Sequence, residues 1–241
     1  MESGRVYLFA EGYNLRASFL SRALKRLLLP HMTVAVIAFS FRDSMVRSAE
    51  DFDRFYGIGS KNYQGITAGL SAYGISPERI SFVNYFTDTP QSAAEKLRNA
   101  DVLYFPGGVP DRMMERIHEF HLEEIIRAHQ GLLIGYSAGA LVFLSEYHLS
   151  PDHDYPVFQY GKGLGMVEGF YFEPHYTACA EQVMAIRRVR AEKNLPVYVL
   201  PAMKGALLVE NGTVLPLGKA EEYGEEVRVR REGECADFLR L

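Results

Sequence analysis

The amino-acid sequence predicts an α/β fold, with a mainly parallel central sheet covered by helices on both faces in a three-layer sandwich. Three observations carry that expectation. Short apolar runs rich in Val, Ile and Leu recur up to residue 136, as in strands buried on both faces. Longer stretches with apolar residues at helical spacing lie between them. The two kinds of segment alternate, and strand–helix–strand units of this kind set successive strands parallel.

In chain order, Arg5–Ala10 reads as the first strand and Glu11-Gly12-Tyr13-Asn14 as a turn. Leu15–Leu29 is a helix with Leu15, Phe19, Leu20, Ala23 and Leu27 on one face, ended by Pro30. Thr33–Phe39 is a second strand, rich in β-branched residues. Residues 42–75 are helical in parts, broken at Gly57-Ile58-Gly59 and ended by Gly74. Their aromatic residues Phe52, Phe55, Tyr56, Tyr63 and Tyr73 are read as core rather than as a lid. Ile80–Phe86 is the next strand. Thr89 is an N-cap with Pro90 at the first helical position, and the helix runs to Asn99. Strand Val102–Phe105 leads into Pro106-Gly107-Gly108-Val109-Pro110. Asp111–Gln130 reads as one helix, stopped by Gly131. Leu132-Leu133-Ile134 is a buried strand, and Ala140–Leu144 begin a buried helix.

After residue 145 the pattern changes. Ser150–Pro156 is a polar, proline-bounded loop, and Phe170–Phe172 a short strand ending at Glu173-Pro174-His175. Ala178–Asn194 is a helix and Val197–Leu200 a strand. Ala206–Pro216 contains Asn211-Gly212, the signature of a C-terminal β-hairpin. Glu226–Arg230 alternates as a last strand. No repeat, low-complexity tract or linker interrupts the chain, so residues 1–241 are read as one domain.

Composition narrows the function classes. Hydrophobic residues make up 48% and charged residues 23%, the balance of an ordinary globular protein. A net charge of −4 announces no basic face, so neither nucleic acid nor an anionic membrane is expected as a partner. Cys179 and Cys235 are too few for a disulfide scaffold or a cysteine-built zinc site. The first residues lack the regions of a signal peptide, and no apolar run has membrane-spanning length, so a cytoplasmic location is the default expectation. No His–carboxylate cluster has metal-ligand spacing, and no phosphate-cradling glycine motif is present; no metal or cofactor is expected.

The chemistry gathers around Gly135-Tyr136-Ser137-Ala138-Gly139, between the strand at 132–134 and the helix after it. Strand, Gly-x-Ser-x-Gly and helix in that order make the context of a nucleophile elbow. The two glycines allow a sharp turn that lifts the serine hydroxyl above the sheet edge. The N–H of Ala138, at a helix start, lacks an intrahelical acceptor and can face an oxyanion. Gly107-Gly108 also follows a strand end, so it faces the same crevice. There the N–H of Gly108 can add a second oxyanion donor, with Gly107 and Val109 beside the substrate.

A serine nucleophile needs a base, and seven histidines are available. His118, His121 and His129 lie on a polar helical stretch and are expected to be solvated; His31 lies in a turn, His148 just past a helix and His153 in the polar loop. His175 follows a strand end and a proline, on a loop at the sheet edge where Ser137 belongs. Asp152, Asp154 and Glu173 are nearby candidates to orient its imidazole, with Glu210 more distant.

These residues together resemble the peptidase E family of serine peptidases, the aspartyl dipeptidases, with cyanophycinase as a relative. The resemblance rests on Gly107-Gly108 after a strand, Gly135-Tyr136-Ser137-Ala138-Gly139-Ala140, and Pro174-His175-Tyr176-Thr177. It spans about residues 5–218 and implies a fold like the class I glutamine amidotransferases, with Ser137 where those enzymes carry cysteine. It implies that Ser137 is the nucleophile, His175 the base and Asp154, before Tyr155-Pro156, the orienting acid, with Asp152 as the alternative. Two departures bear on substrate preference. The Gly-Gly turn continues into Val109-Pro110-Asp111 instead of polar residues. A Pro-acid-Gly segment after a late strand is here Pro201-Ala202-Met203-Lys204-Gly205.

The expected function is therefore hydrolysis of short peptides by a Ser137–His175–Asp154 triad, with oxyanion donors at Gly108 and Ala138. An esterase of the α/β-hydrolase type shares the elbow and the order Ser, Asp, His. Its usual elements do not fit between Ser137 and His175, only 38 positions apart. A non-catalytic binding or sensor member of the same fold is the third reading, favoured by Val109-Pro110 and Met203. Oligomeric state has no signal in the sequence.

Overall fold

The computed structural model describes residues 5–10 and 15–224. Its central sheet has seven strands. Five are parallel: β1 (Val6–Ala10), β2 (Val34–Ile37), β3 (Ile80–Val83), β4 (Val102–Phe105) and β5 (Leu132–Tyr136). They stand in the order β1, β5, β4, β2, β3. A hairpin, β10 (Gly205–Glu210) and β11 (Thr213–Gly218), adds antiparallel beside β1. Asn211 and Gly212 both have positive φ, 50° and 75°, as a two-residue type I′ turn requires.

Side chains alternate across the sheet, so each strand feeds two cores. Tyr7 and Phe9 of β1 join one cluster and Leu8 and Ala10 the other. The second cluster is closed by α1 (Ser18–Leu27), α2 (Ala49–Tyr56) and α3 (Lys61–Ser71), through Leu20, Leu24, Phe52, Tyr56, Ile66 and Leu70. The first is closed by α4 (Pro90–Arg98), α5 (Pro110–Glu119), α6 (Glu123–Ala128) and the single turn α7 (Ala138–Leu141). Of the aromatic residues between 42 and 75, Phe52, Tyr56 and Tyr73 are buried, and Tyr63 stacks on Phe82. Phe55 is half-buried and lines a cavity at the carboxyl ends of the strands.

The segment after α7 builds a flank beside the sheet. A ribbon of β6 (Glu146–Leu149) and β7 (Gln159–Lys162) encloses the 150–156 loop between its strands. A small sheet of β8 (Tyr171–Glu173), β9 (Val197–Val199) and β12 (Glu221–Glu222) packs under α8 (Ala180–Lys193). Among the described residues no helix is long and apolar enough to cross a membrane.

Three expectations change. The helix expected over 111–130 is two, because the chain turns at Phe120–Leu122 with His121 at φ 53°. The helix after Ser137 is one turn rather than a long element. His148, expected just past a helix, lies in strand β6 and is buried. The turn expected at 11–14 and the strand expected at 226–230 lie outside the described residues.

Candidate active site

The site is built where strands end. Ser137 follows β5 with φ 48° and ψ −111°, a region that non-glycine residues rarely enter and that costs about 1–3 kcal/mol. Both glycines of the motif are required by close approach. A Cβ on Gly139 would stand 2.0 Å from the carbonyl oxygen of Phe105, and one on Gly135 2.5 Å from the Cα of Ala140. The first turn of α7 therefore lies directly on the end of β4. The N–H of Ser137 donates to the carbonyl of Ala10 at 3.2 Å, which ties the turn to β1.

His175 follows β8 at φ 53°, and its Nε2 lies 2.9 Å from the Ser137 hydroxyl oxygen. Its turn is pinned from two sides. The N–H of Tyr176 donates to the carbonyl of Leu200 at 3.0 Å. The Gln182 amide donates to the His175 carbonyl at 3.1 Å, and its oxygen accepts from the N–H and hydroxyl of Thr177. The Tyr136 ring meets the imidazole edge-on at 6.1 Å.

Gly107-Gly108 closes the third side. Gly108 has φ 147°, and a Cβ there would lie 2.1 Å from the carbonyl oxygen of Ser40. That carbonyl accepts from the N–H of Val109 at 2.7 Å, while the Ser40 hydroxyl donates to the carbonyl of Gly107 at 2.7 Å. Gly107, Gly108, Ser137, Ala138 and His175 line one cavity of about 590 Å³.

The sequence model of peptidase family S51 matches residues 63–216, which contain Gly107-Gly108, Ser137 and His175. The chain belongs to peptidase family S51. It is thus a serine-type peptidase of the peptidase E family, as the motifs suggested. No curated protein matches it. Two crystal structures share its fold. One, of a protein assigned to peptidase E from Listeria monocytogenes EGD-e, aligns with a TM-score of 0.60 at 16% identity, covering 89% of this chain and 98% of that one. The other, a peptidase from an acI-B1 Actinobacterium, aligns with a TM-score of 0.58 at 15% identity, covering 94% and 97%.

In this S51 peptidase the acids expected near His175 have other immediate partners. Asp154 lines the cavity, but its carboxylate meets the guanidinium of Arg42, with Arg42 Nε donating to Oδ1 at 2.8 Å and Nη2 to Oδ2. The reason is electrostatic: a guanidinium fork offers a carboxylate two charge-assisted bonds, a stronger match than one imidazole N–H. That hydrogen bond holds the Asp154 carboxyl below its ordinary range and raises the pKa of Arg42. Asp152 accepts from the N–H groups of Asp154 and Tyr155, both at 2.8 Å, and so shapes the loop. Glu173 is buried and meets His148 Nε2 and the Ser150 hydroxyl, each at 2.7 Å. Glu210 ends β10, whose partner residue there is Val6, at the amino end of β1. Val109, expected beside the substrate, is buried and does not line the cavity.

Sequence reading missed Arg42, Arg116 and Gln182. Arg116 is buried on α5 and donates to the carbonyls of Phe39 and Phe41, the latter at 2.8 Å, with Asp43 as its ion-pair partner. It thereby holds the segment that carries Ser40 and Arg42. On a helix of alternating charges it has no mark that separates it from Arg112, which pairs with Asp43 and Glu115 at the surface. Among the described residues no group of three or more His, Cys, Asp or Glu side chains is placed to hold a metal ion.

Proposed function

We propose that this peptidase hydrolyses short peptides through Ser137 as nucleophile and His175 as general base. The observation that carries the reading is the 2.9 Å approach of His175 Nε2 to the Ser137 hydroxyl in the cavity that both residues line. That distance suits transfer of the hydroxyl proton to the imidazole as Ser137 attacks the scissile carbonyl. The strained turn at Ser137 works as a nucleophile elbow, keeping the hydroxyl raised and fixed. The N–H groups of Gly108 and Ala138 receive the oxyanion, and the imidazolium then returns its proton to the leaving amine. Water repeats the sequence to release the acyl group.

In this reading the pinned turn of residues 175–177 helps to place the imidazole, and Asp154 meets Arg42. The test is labelling with a fluorophosphonate, followed by a panel of dipeptides and matched esters. The wild type is expected to be labelled and to cleave dipeptides, and Ser137→Ala to do neither while remaining folded. A folded wild type that neither reacts with the probe nor cleaves a dipeptide would favour the non-catalytic reading, and esters cleaved with no peptide turnover the esterase.

A further inference from the structure

Among the described residues that line the cavity, Arg42 is the one Lys or Arg side chain. Two other arginines point elsewhere: Arg112 pairs with Asp43 and Glu115, and Arg188 pairs with Glu192 and covers the ring of Phe158. The two partners in the Arg42–Asp154 pair are held differently. Arg42 sits on a segment locked by buried Arg116 through the carbonyls of Phe39 and Phe41, and by Ser40 against Gly107. Asp154 comes from the polar 150–156 loop, which is tied by Asp152 and by the Tyr155 hydroxyl donating to Asp111. The pair is open to water, with side-chain exposures of 43% and 24%. A bidentate carboxylate on a guanidinium has the same geometry whatever molecule supplies it. Water-exposed pairs hold together weakly, so one carboxylate can replace another there without stranding a buried charge.

We propose that Arg42 is the carboxylate-binding residue of the crevice and that Asp154 is its built-in occupant, displaced when a substrate carboxylate arrives. The proposal rests on the peptidase reading for the word substrate, though not for the binding itself. The carboxylate is either an acidic side chain or the C-terminus of a dipeptide. Displacement exchanges one carboxylate–guanidinium pair for another, so the wild type gains little from a carboxylate on its ligand. An occupied site lowers apparent affinity by the fraction of molecules in which it is free. Removing the occupant must therefore raise affinity for carboxylate-bearing ligands and for no others. Hydrogen bonding to Arg42 lowers the pKa of Asp154, which favours the ionised form that occupies the guanidinium.

The test measures binding by calorimetry on protein carrying Ser137→Ala, which prevents turnover. The ligands are Ala-Leu, with a C-terminal carboxylate only; Asp-leucinamide, with a side-chain carboxylate only; and Ala-leucinamide, with neither. Adding Asp154→Asn is expected to tighten one of the first two by at least about 10-fold, or 1.4 kcal/mol. Ala-leucinamide should stay within about 2-fold, since it offers nothing to Arg42. The ligand that gains identifies the source of the carboxylate. Arg42→Gln in the same background should abolish the gain. If Asp154→Asn does not fold, Asp154→Ser takes its place. Equal tightening of all three ligands, no tightening of any, or no detectable binding by any variant overturns the proposal. A loss of about 10²-fold or more in kcat for Ala-leucinamide when Asp154→Asn is made with Ser137 intact also overturns it, since Asp154 then belongs to the catalytic unit. None of the binding outcomes depends on whether Ser137 is the nucleophile, so the two readings fail separately.

Discussion

Two non-glycine residues at positive φ, Ser137 at 48° and His175 at 53°, meet across 2.9 Å. Each conformation costs free energy, and each persists because its surroundings leave it no alternative. Ser137 is held by the Ala10 carbonyl and by glycines too closely packed to admit a Cβ. If the two side chains form one catalytic unit, Ser137→Ala and His175→Ala each lower kcat/KM on the order of 10⁴-fold or more, and the double variant loses little further. Multiplying losses in that cycle would separate the pair. Gln182 tests the support rather than the chemistry. Gln182→Ala is expected to lower kcat by about 10²-fold with KM nearly unchanged, because a base displaced by about 1 Å fails only in the transition state. A matched rise in KM would instead make Gln182 a substrate contact. Ser137 and His175 were legible because a local motif and a strand end announce them. Arg42, Arg116 and Gln182 were not, since their roles depend on partners such as Asp154, 112 positions away. Asp154 was legible as a site residue but not in its pairing, which only the position of Arg42 reveals.

Elements were legible wherever a local device marks their ends. Thr89 caps α4 by accepting from the N–H of Ser92 at 3.2 Å, and the Ser92 hydroxyl accepts in return from the N–H of Thr89 at 3.0 Å. Thr89→Ala removes one half of that capping box and should cost about 1 kcal/mol. In a chain of this size that lowers Tm by about 2–4 °C, with peptidase activity unchanged at temperatures well below the transition. An unchanged Tm would mean that Pro90 alone sets the helix start. The end of α5 went unread because its stop signal is a histidine instead of a glycine. The Leu122 N–H donates to Ile117 and the His121 N–H to His118, both at 3.0 Å, while buried Leu122 packs into the core. That is a Schellman stop with His121 in the left-handed position. Helical periodicity runs through it undisturbed, so no pattern of apolar residues separates α5 from α6. Ribbon β6–β7 was hidden for a different reason: Gln159-Tyr160-Gly161-Lys162 is mostly polar, and it is a strand only because Glu146–Leu149 pairs with it.

At the scale of the whole molecule, the sheet divides its ends between two tasks. The carboxyl ends carry the crevice, while at the amino ends Gly131 packs closely against the Asp101 carbonyl and the His129 ring. His129, expected to be solvated, is instead largely buried there, with its Nε2 shielded from water beside the Asp101 backbone. Burial is the largest influence on that imidazole and pushes its pKa below the ordinary value, with Asp101 opposing and Arg5 reinforcing the shift. The sign of the consequence follows from linkage. A histidine kept neutral in the folded state binds fewer protons there than in the unfolded chain. Its contribution to stability is complete above the unfolded pKa of about 6.5, and is lost as pH falls through the lower folded value. Carboxylates act later on the same side. Hydrogen bonding to Arg42 lowers the pKa of Asp154; burial opposes the lowering of Glu146, and bonds from Lys193 and Tyr171 outweigh it. Their contributions fade only as pH falls below the carboxylate range. Acid destabilisation should therefore begin near neutrality, well above the carboxylates, and begin at the end of the molecule away from the crevice. Replacing His129 with Gln removes the titrating ring, so the Tm of that variant should stay level from pH 7 to pH 5.5 while the wild type falls. Parallel Tm profiles for the two proteins would mean that the first acid-sensitive group lies elsewhere.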